Sequence, residues 1–215
     1  MFNLIAKDIL VQKGSLIGIL IYLLICSYSF RSMPNGIMLG LVTVTIVFFF
    51  ITGSYAYDER NKSHVVLNSL PITRKELIIS KYISVIIYNI IALSIMTLFM
   101  FASKFLNLPL TIHFFTLKDI VNLFITSLLL ASFMFPVYSK FGYIKSKVVT
   151  FITYFSFFTI ANVLSNISDK ETINIFSNLL QTLSNNTYIL LIMALVIYLL
   201  SMYFCMKIYV NKELD

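Results

Sequence analysis

The chain has 215 residues, of which 59% are hydrophobic and only 12% are charged. Soluble domains carry about 25% charged residues, so this composition excludes an ordinary soluble enzyme or binding domain. The net charge of +7 does not indicate nucleic-acid binding, because the basic residues are spread along the chain without a dense run that follows a phosphate backbone. We predict a single transmembrane domain, residues 1–215.

Six long stretches of the chain contain no Asp, Glu, Lys or Arg. They are Gly14–Phe30, Ser32–Tyr57, Tyr82–Ser103, Ile120–Ser139, Val148–Ser168 and Thr172–Met206. A helix needs about 20 mostly apolar residues to cross the hydrocarbon core, and a charge at its centre costs about 3 kcal/mol. We therefore predict an all-α membrane protein with six transmembrane helices.

The first predicted element, Met1–Lys13, is amphipathic. Its apolar side chains fall on one face and its charges elsewhere, so we predict a helix that lies in the membrane interface before the first span. The apolar face is predicted to hold Phe2, Ile5, Ile9 and Leu10, and the charges are Lys7, Asp8 and Lys13.

The six spans follow in chain order. The first lies within Gly14–Phe30, and the others are predicted at Ile37–Tyr57, Ile79–Ala102, Ile120–Tyr138 (with Pro136 near its end), Val148–Leu164 and Tyr188–Met206. An even number of spans places both termini on one side. That side would hold twelve of the 16 basic residues and the other side four: Arg31, Lys104, Lys118 and Lys170. The positive-inside rule therefore predicts that both termini are cytoplasmic.

Three capping boxes predict where helices begin. Thr73-Arg-Lys-Glu76 opens a helix in the cytoplasm that runs into the third span, and Thr116-Leu-Lys-Asp119 is a weaker form before the fourth. Ser168-Asp-Lys-Glu171 opens an external amphipathic helix over residues 168–184. This helix either dips into the outer leaflet or packs as an ordinary surface helix on the span ends.

The largest predicted soluble feature is the segment Asp58–Lys81 in the cytoplasm. It carries eight of the 25 charged residues (16 basic plus 9 acidic), and apolar residues lie between them. Apolar anchors with charges around them are typical of a docking surface. The alternative is a solvated loop whose charges only fix topology.

This segment also carries a family resemblance. The second span ends in DERNK, and LNSLPITRKELIISKY leads into the third. This resembles the small permeases of type-2 ATP-binding-cassette (ABC) exporters. The resemblance implies an interfacial helix before six spans, a loop after the second span that docks on a separate ATPase, and a helical element outside between the fifth and sixth spans. Within the family the chain is most similar to short Gram-positive permeases, including those for phenol-soluble modulins or bacteriocins.

The resemblance implies partners as well as a fold. They are a cytoplasmic ATP-binding subunit, a second permease that is either an identical copy or a sister chain, and the lipid of a bacterial cell membrane. ATP is expected only in the partner subunit. The residues predicted to contact the ATPase are Arg60, Lys62, Val65, Leu67, Arg74, Lys75 and Glu76.

The sequence lacks the motifs of catalysis. It has no Gly-x-x-x-x-Gly-Lys-[Ser/Thr] and no His-Glu-x-x-His, and His64 and His113 are far apart in predicted loops. We therefore predict no catalytic, cofactor-binding or metal-binding residue in this chain. The scarcity of acids within the spans disfavours coupling to protons or sodium.

A polar stripe runs along the predicted fifth span: Thr153, Ser156, Thr159 and Asn162. In related exporters the second and fifth spans border the translocation path, so the resemblance implies that this stripe lines it. The alternative is that these hydroxyls bond back to their own helix or hold helices together.

The predicted function is the transmembrane subunit of an ABC exporter. Its cargo would be amphipathic or hydrophobic (a peptide, a toxin or a lipid-like molecule). The alternative is a non-transport immunity or sensor protein that binds a peptide in the bilayer and needs no ATPase. An intramembrane enzyme ranks last because no catalytic constellation is present.

Overall fold

The computed structural model describes residues 2–29, 35–61, 73–105, 115–167 and 187–210. All regular structure in these ranges is helical, which confirms the predicted all-α class for this part of the chain. The elements are α1 (Phe2–Val11), a 3₁₀ turn (Gln12–Ser15), α2 (Leu16–Ser29), α3 (Asn35–Arg60), α4 (Arg74–Phe105), α5 (Leu117–Phe141), α6 (Tyr143–Ile167) and α7 (Thr187–Val210).

Four helices within the described ranges are long and apolar enough to cross a membrane: α3, α4, α5 and α7. They coincide with the predicted second, third, fourth and sixth spans. Helices α1 and α2 are apolar enough only when taken together, and they are bent by 59° relative to each other. The described residues therefore give four spans, or five if the bent pair crosses. The predicted fifth span lies in α6, which is 25 residues long but is not among the four, so six spans and cytoplasmic termini stay predictions.

Two of the three predicted capping boxes are present. The Thr73 amide donates to Glu76 Oε2 at 2.9 Å, and the Glu76 amide donates to Thr73 Oγ1 at 3.3 Å. The Thr116 and Asp119 pair makes the same two bonds before α5. Helix α4 continues unbroken for 32 residues, about 48 Å, so part of it extends beyond the hydrocarbon core of about 30 Å. The predicted helix at 168–184 and its box lie outside the described residues.

Helix α1 buries Asp8 against the other helices together with Leu4 and Ile5, while Leu10 of the predicted apolar face is exposed on the surface of the chain. The physical reason is that Asp8 is paired with a lysine of α4, as described below, so its burial is compensated. Pairing with a distant helix therefore places one charge of α1 on the side that faces the bundle. That α1 lies in the membrane interface stays a prediction.

The core of the bundle lies where α5 and α7 pack along each other and against α3 and α4. Large aromatic side chains fill it. The Tyr82 ring centroid lies 4.6 Å from that of Phe135 and 4.9 Å from that of Tyr198, so α4 contacts both α5 and α7 through one residue. The Tyr198 hydroxyl donates to the Tyr82 carbonyl at 2.7 Å, which satisfies a polar group that burial would otherwise make costly.

Pro136 interrupts the hydrogen bonding of α5 without ending the helix. Proline has no amide hydrogen, so the Ser132 carbonyl loses its usual donor four residues later. The Ser201 hydroxyl of α7 replaces that donor at 2.6 Å. Ser201 has one hydroxyl hydrogen and uses it in this bond. The Tyr82 hydroxyl lies 2.8 Å from Ser201 Oγ and therefore donates to it. A gap in one membrane helix is thus filled by a side chain of another.

This arrangement predicts a coupling between Pro136 and Ser201. Replacing Ser201→Ala should lower the free energy of unfolding by about 1 kcal/mol, because the Ser132 carbonyl loses its donor in an apolar environment. In a Pro136→Ala background, which restores an amide donor within α5, the same change should cost less. The measurement is unfolding in mixed micelles for the four combinations. Equal costs of Ser201→Ala in both backgrounds would show that Ser201 does not serve the proline gap.

Candidate functional site

Four charged side chains meet at one end of the bundle, and we call Lys7, Asp8, Asp58 and Lys81 the charge cluster. Lys81 Nζ lies 3.1 Å from Asp8 Oδ1 and 2.5 Å from Asp58 Oδ2. Lys7 Nζ lies 2.6 Å from Asp58 Oδ1 and 3.4 Å from Asp8 Oδ1. Each lysine therefore contacts both carboxylates, and the four charges sum to zero.

Three helices supply the charge cluster. Lys7 and Asp8 belong to α1, Asp58 lies two residues before the end of α3, and Lys81 lies about two turns after the start of α4. Asp58 and Lys81 are the first and last residues of the predicted docking segment, which includes the end of α3 and the start of α4. Ion pairs therefore join the two ends of that segment to each other and to α1.

Burial is uneven within the charge cluster. The Asp8 side chain is 2% exposed and that of Lys81 is 14% exposed, whereas that of Lys7 is 30% exposed. Lys81 also donates to Ser54 Oγ at 2.5 Å and lies 4.9 Å from the centroid of the Tyr55 ring. A buried carboxylate requires a partner charge, so Lys81 is the member on which the others depend.

The 3₁₀ turn after α1 is fixed to α3 beside the charge cluster. Gln12 Nε2 donates to the Phe50 carbonyl at 2.8 Å. Gly53 permits this approach, because a Cβ at that position would lie 3.1 Å from Gln12 Oε1. The N-terminal segment is therefore attached to α3 by a neutral hydrogen bond as well as by ion pairs.

Glu59, the neighbour of Asp58, contacts a different part of the bundle. Its carboxylate accepts hydrogen bonds from the backbone amides of Tyr143 and Ile144, the latter at 3.1 Å. These amides open α6, where helical N–H groups lack internal partners and an anion is favoured. Gly142 makes the turn with φ of 76°, and a Cβ there would lie 3.4 Å from both Glu59 oxygens. The end of α3 thus holds α1 and α4 through Asp58 and the α5–α6 turn through Glu59.

Comparison with protein-family models identifies the family of the chain. A family model described as ABC-2 family transporter protein matches residues 3–210. The chain belongs to the ABC-2 transporter family. This ABC-2 protein is therefore an integral membrane protein and a transmembrane subunit of an ABC transporter, not the catalytic component. The family typically works with an ATP-binding partner subunit. No curated protein and no solved structure matches the chain.

The structure places part of the predicted docking set of this ABC-2 protein. Arg60 is exposed at the end of α3, and in the first turn of α4 Lys75 is exposed while Arg74 is half-buried. The Glu76 carboxylate is bonded to the Thr73 amide, so it serves the helix start. Lys62, Val65 and Leu67 lie outside the described residues. Contact of any of the seven with an ATPase stays a prediction.

The predicted path residues lie on α6. Thr153 donates to the Thr150 carbonyl at 2.9 Å, Ser156 to the Ile152 carbonyl at 2.5 Å and Thr159 to the Ser156 carbonyl at 2.9 Å. These bonds to the same helix match the alternative interpretation of the stripe. Ser156 and Thr159 are nevertheless exposed on the surface of the chain. The side chain of Asn162 lies outside the description, and a role in lining the path stays a prediction.

Sequence reasoning treated the charges of α1 only as the polar side of an interfacial helix and missed the charge cluster. One signal could have found it. Asp8 falls among the apolar residues of α1, and Asp58 and Lys81 each adjoin one of the long uncharged stretches. Acids and bases at the same membrane edge have few ways to be neutralised except by each other.

The first prediction from the site concerns Lys81. Replacing Lys81→Met should lower the free energy of unfolding by about 3 kcal/mol, because Asp8 stays buried with only the more exposed Lys7 beside it, at 3.4 Å. Lys7→Met is the matched control. It should cost less than about 1 kcal/mol, since Lys7 is the more exposed member. Denaturation in mixed micelles measures both, and equal losses would contradict the central place given to Lys81.

The second prediction concerns the turn between α5 and α6. Gly142→Ala should destabilise the protein by about 1–2 kcal/mol, because a positive φ is unfavourable for alanine and the new methyl group crowds Glu59. Gly18→Ala in α2 is the control, because a Cβ there meets nothing within 4 Å. Thermal unfolding in detergent compares the two. A loss for Gly18→Ala as large as that for Gly142→Ala would refute the explanation.

Proposed function

We propose that this ABC-2 protein is the permease of an exporter in a bacterial cell membrane. It would move an amphipathic or hydrophobic cargo, such as a peptide, a toxin or a lipid-like molecule, out of the cell. ATP would be hydrolysed by a separate cytoplasmic subunit. Two permease chains, identical or sister, would enclose the path.

The charge cluster is the observation that carries this proposal. A docked ATPase can drive transport only if movement of the docking segment reaches the membrane helices. Asp58 and Lys81 bracket residues 62–72 and are paired with each other at 2.5 Å. Both are also paired with α1, so a displacement of the segment acts on α1, α3 and α4 together.

Glu59 connects the end of α3 to the start of α6 in addition. Its bonds to the first amides of α6 make the α5–α6 turn follow the end of α3. The hydroxyl of Tyr154 in α6 lies 2.5 Å from Thr45 Oγ1, and Thr45 itself donates to the Leu41 carbonyl, so Tyr154 is the donor. Helices α3 and α6 are thereby joined at two levels. This supports the notion that they respond together to the ATPase.

The cargo class is supported by what the described spans offer. Their exposed side chains are mostly apolar, with the exposed hydroxyls of Ser156 and Thr159 among them on α6. Both hydroxyls donate within α6, which leaves only acceptor capacity for a cargo. Such a surface suits an amphipathic molecule better than a bare ion, which needs a ring of charges or carbonyl oxygens.

Charge reversal tests the docking proposal. Arg60→Glu together with Lys75→Glu should reduce the amount of ATPase that co-purifies with the tagged chain in mild detergent, on the order of tenfold, because both are exposed charges within the docking segment. The matched control is Lys13→Glu with Lys207→Glu, which changes the net charge equally at exposed positions outside the segment. The control should retain the ATPase.

Two outcomes would contradict the proposal. An unchanged yield of ATPase in the Arg60 and Lys75 variant would show that the docking surface lies elsewhere. Recovery of the unaltered chain from its native membrane without any ATPase would contradict transport driven by a separate ATP-hydrolysing subunit.

A further inference from the structure

The first three turns of α6 carry an exposed apolar stripe. Ile144, Val148, Phe151 and Phe155 recur at intervals of four, three and four residues and are all exposed. This spacing puts them on one face of the helix. The predicted path residues Ser156 and Thr159 come after the stripe in the chain.

The opposite face of α6 is occupied by the bundle. Ser146 and Thr150 are buried there, and the Tyr154 ring lies 4.5 Å from that of Phe48. The stripe therefore points away from the other helices that the structure describes. Beyond these helices, the candidate occupants are a lipid, a second copy or another protein.

Basic residues frame the stripe at the end where α6 begins. At 100° per residue, Lys145 lies about 100° to one side of Ile144 and Lys147 about 60° to the other. Both lysines are exposed, as is Lys140 before the turn. Among the described residues, no ion pair involves any of these three lysines. Glu59, the acid at this turn, is bonded to the amides of Tyr143 and Ile144.

We infer that the start of α6 binds an anionic phospholipid. An acyl chain would lie along Ile144, Val148 and Phe151, and the phosphate would lie between Lys145 and Lys147. Lysine is a point-charge binder of phosphate, and basic residues beside a membrane helix attract anionic headgroups.

A second copy fits this surface less well. A symmetric contact between two such stripes would bring the lysine pairs of both chains together, and like charges across an interface are unfavourable. A single phospholipid would contact the apolar face with its acyl chain and the lysines with its phosphate. The inference requires only membrane insertion, so it does not depend on the proposed transport.

The chain contains no tryptophan, so one introduced tryptophan reports on a single place. The full chain carrying Phe151→Trp is reconstituted into vesicles of phosphatidylcholine containing phosphatidylglycerol. Either lipid is supplied with brominated acyl chains at the same mole fraction, and quenching gives their relative association constants. We expect a preference for phosphatidylglycerol of about fivefold. It should fall to about one in the Lys145→Gln, Lys147→Gln variant.

Two matched controls accompany this experiment. Lys13→Gln with Lys207→Gln removes the same charge elsewhere and should leave the preference at Phe151→Trp unchanged. Phe204→Trp places the reporter on the exposed face of α7, three residues before the single Lys207, and should show little preference.

Three results would overturn the inference. Equal quenching by both lipids at Phe151→Trp would mean ordinary lipid contact. Quenching by neither would mean that a second copy covers the stripe. A preference that survives loss of Lys145 and Lys147, or that also falls in the Lys13 and Lys207 control, would place its source elsewhere.

Discussion

Neutralisation of charge at the membrane edge is the constraint on which this structure depends. Asp8 is buried, and a buried carboxylate is tolerated only beside a partner charge. Lys81 supplies that charge from a position 73 residues away, and Lys7 and Asp58 complete a set with no net charge. The need to neutralise these four groups together decides where α1, α3 and α4 meet. It also pairs Asp58 with Lys81, the first and last residues of the predicted docking segment.

Elsewhere in the bundle, polar groups that lack a local partner are satisfied by a neighbouring helix. The Ser132 carbonyl, left without a donor by Pro136, accepts from Ser201. The free amides at the start of α6 donate to Glu59. Water does not compete for the buried Ser201 bond, whereas the Glu59 bonds lie at a partly exposed end of the bundle. Both tie a local defect to a particular tertiary contact. These contacts make the helices depend on each other more than their apolar surfaces alone would.

Much of the layout was predictable from the sequence. Uncharged stretches located the helices, because a charge in hydrocarbon is costly, and the boxes at Thr73 and Thr116 correctly located two helix starts. The tertiary pairs were not predictable in this way. The pattern placed Asp8 only on the polar side of an interfacial helix, whereas the structure buries it against the bundle. The positions of Asp8, Asp58 and Lys81 indicate that their charges must be neutralised near the span ends, but they do not record that Asp8 faces Lys81 or that Glu59 caps α6, since these residues lie far apart in the chain.

The central claim is that the charge cluster makes α1 and the start of α4 move as one unit. The direct measurement is the distance between spin labels at the exposed positions Asn3→Cys and Ile83→Cys, with Cys26 replaced by alanine and the buried Cys205 retained, in the chain alone and in the ATPase complex with trapped nucleotide. The account predicts one narrow distance that is the same in both states and that broadens in Lys81→Met. A distance that changes when nucleotide is trapped, or a Lys81→Met distribution identical to that of the unaltered chain, would contradict it.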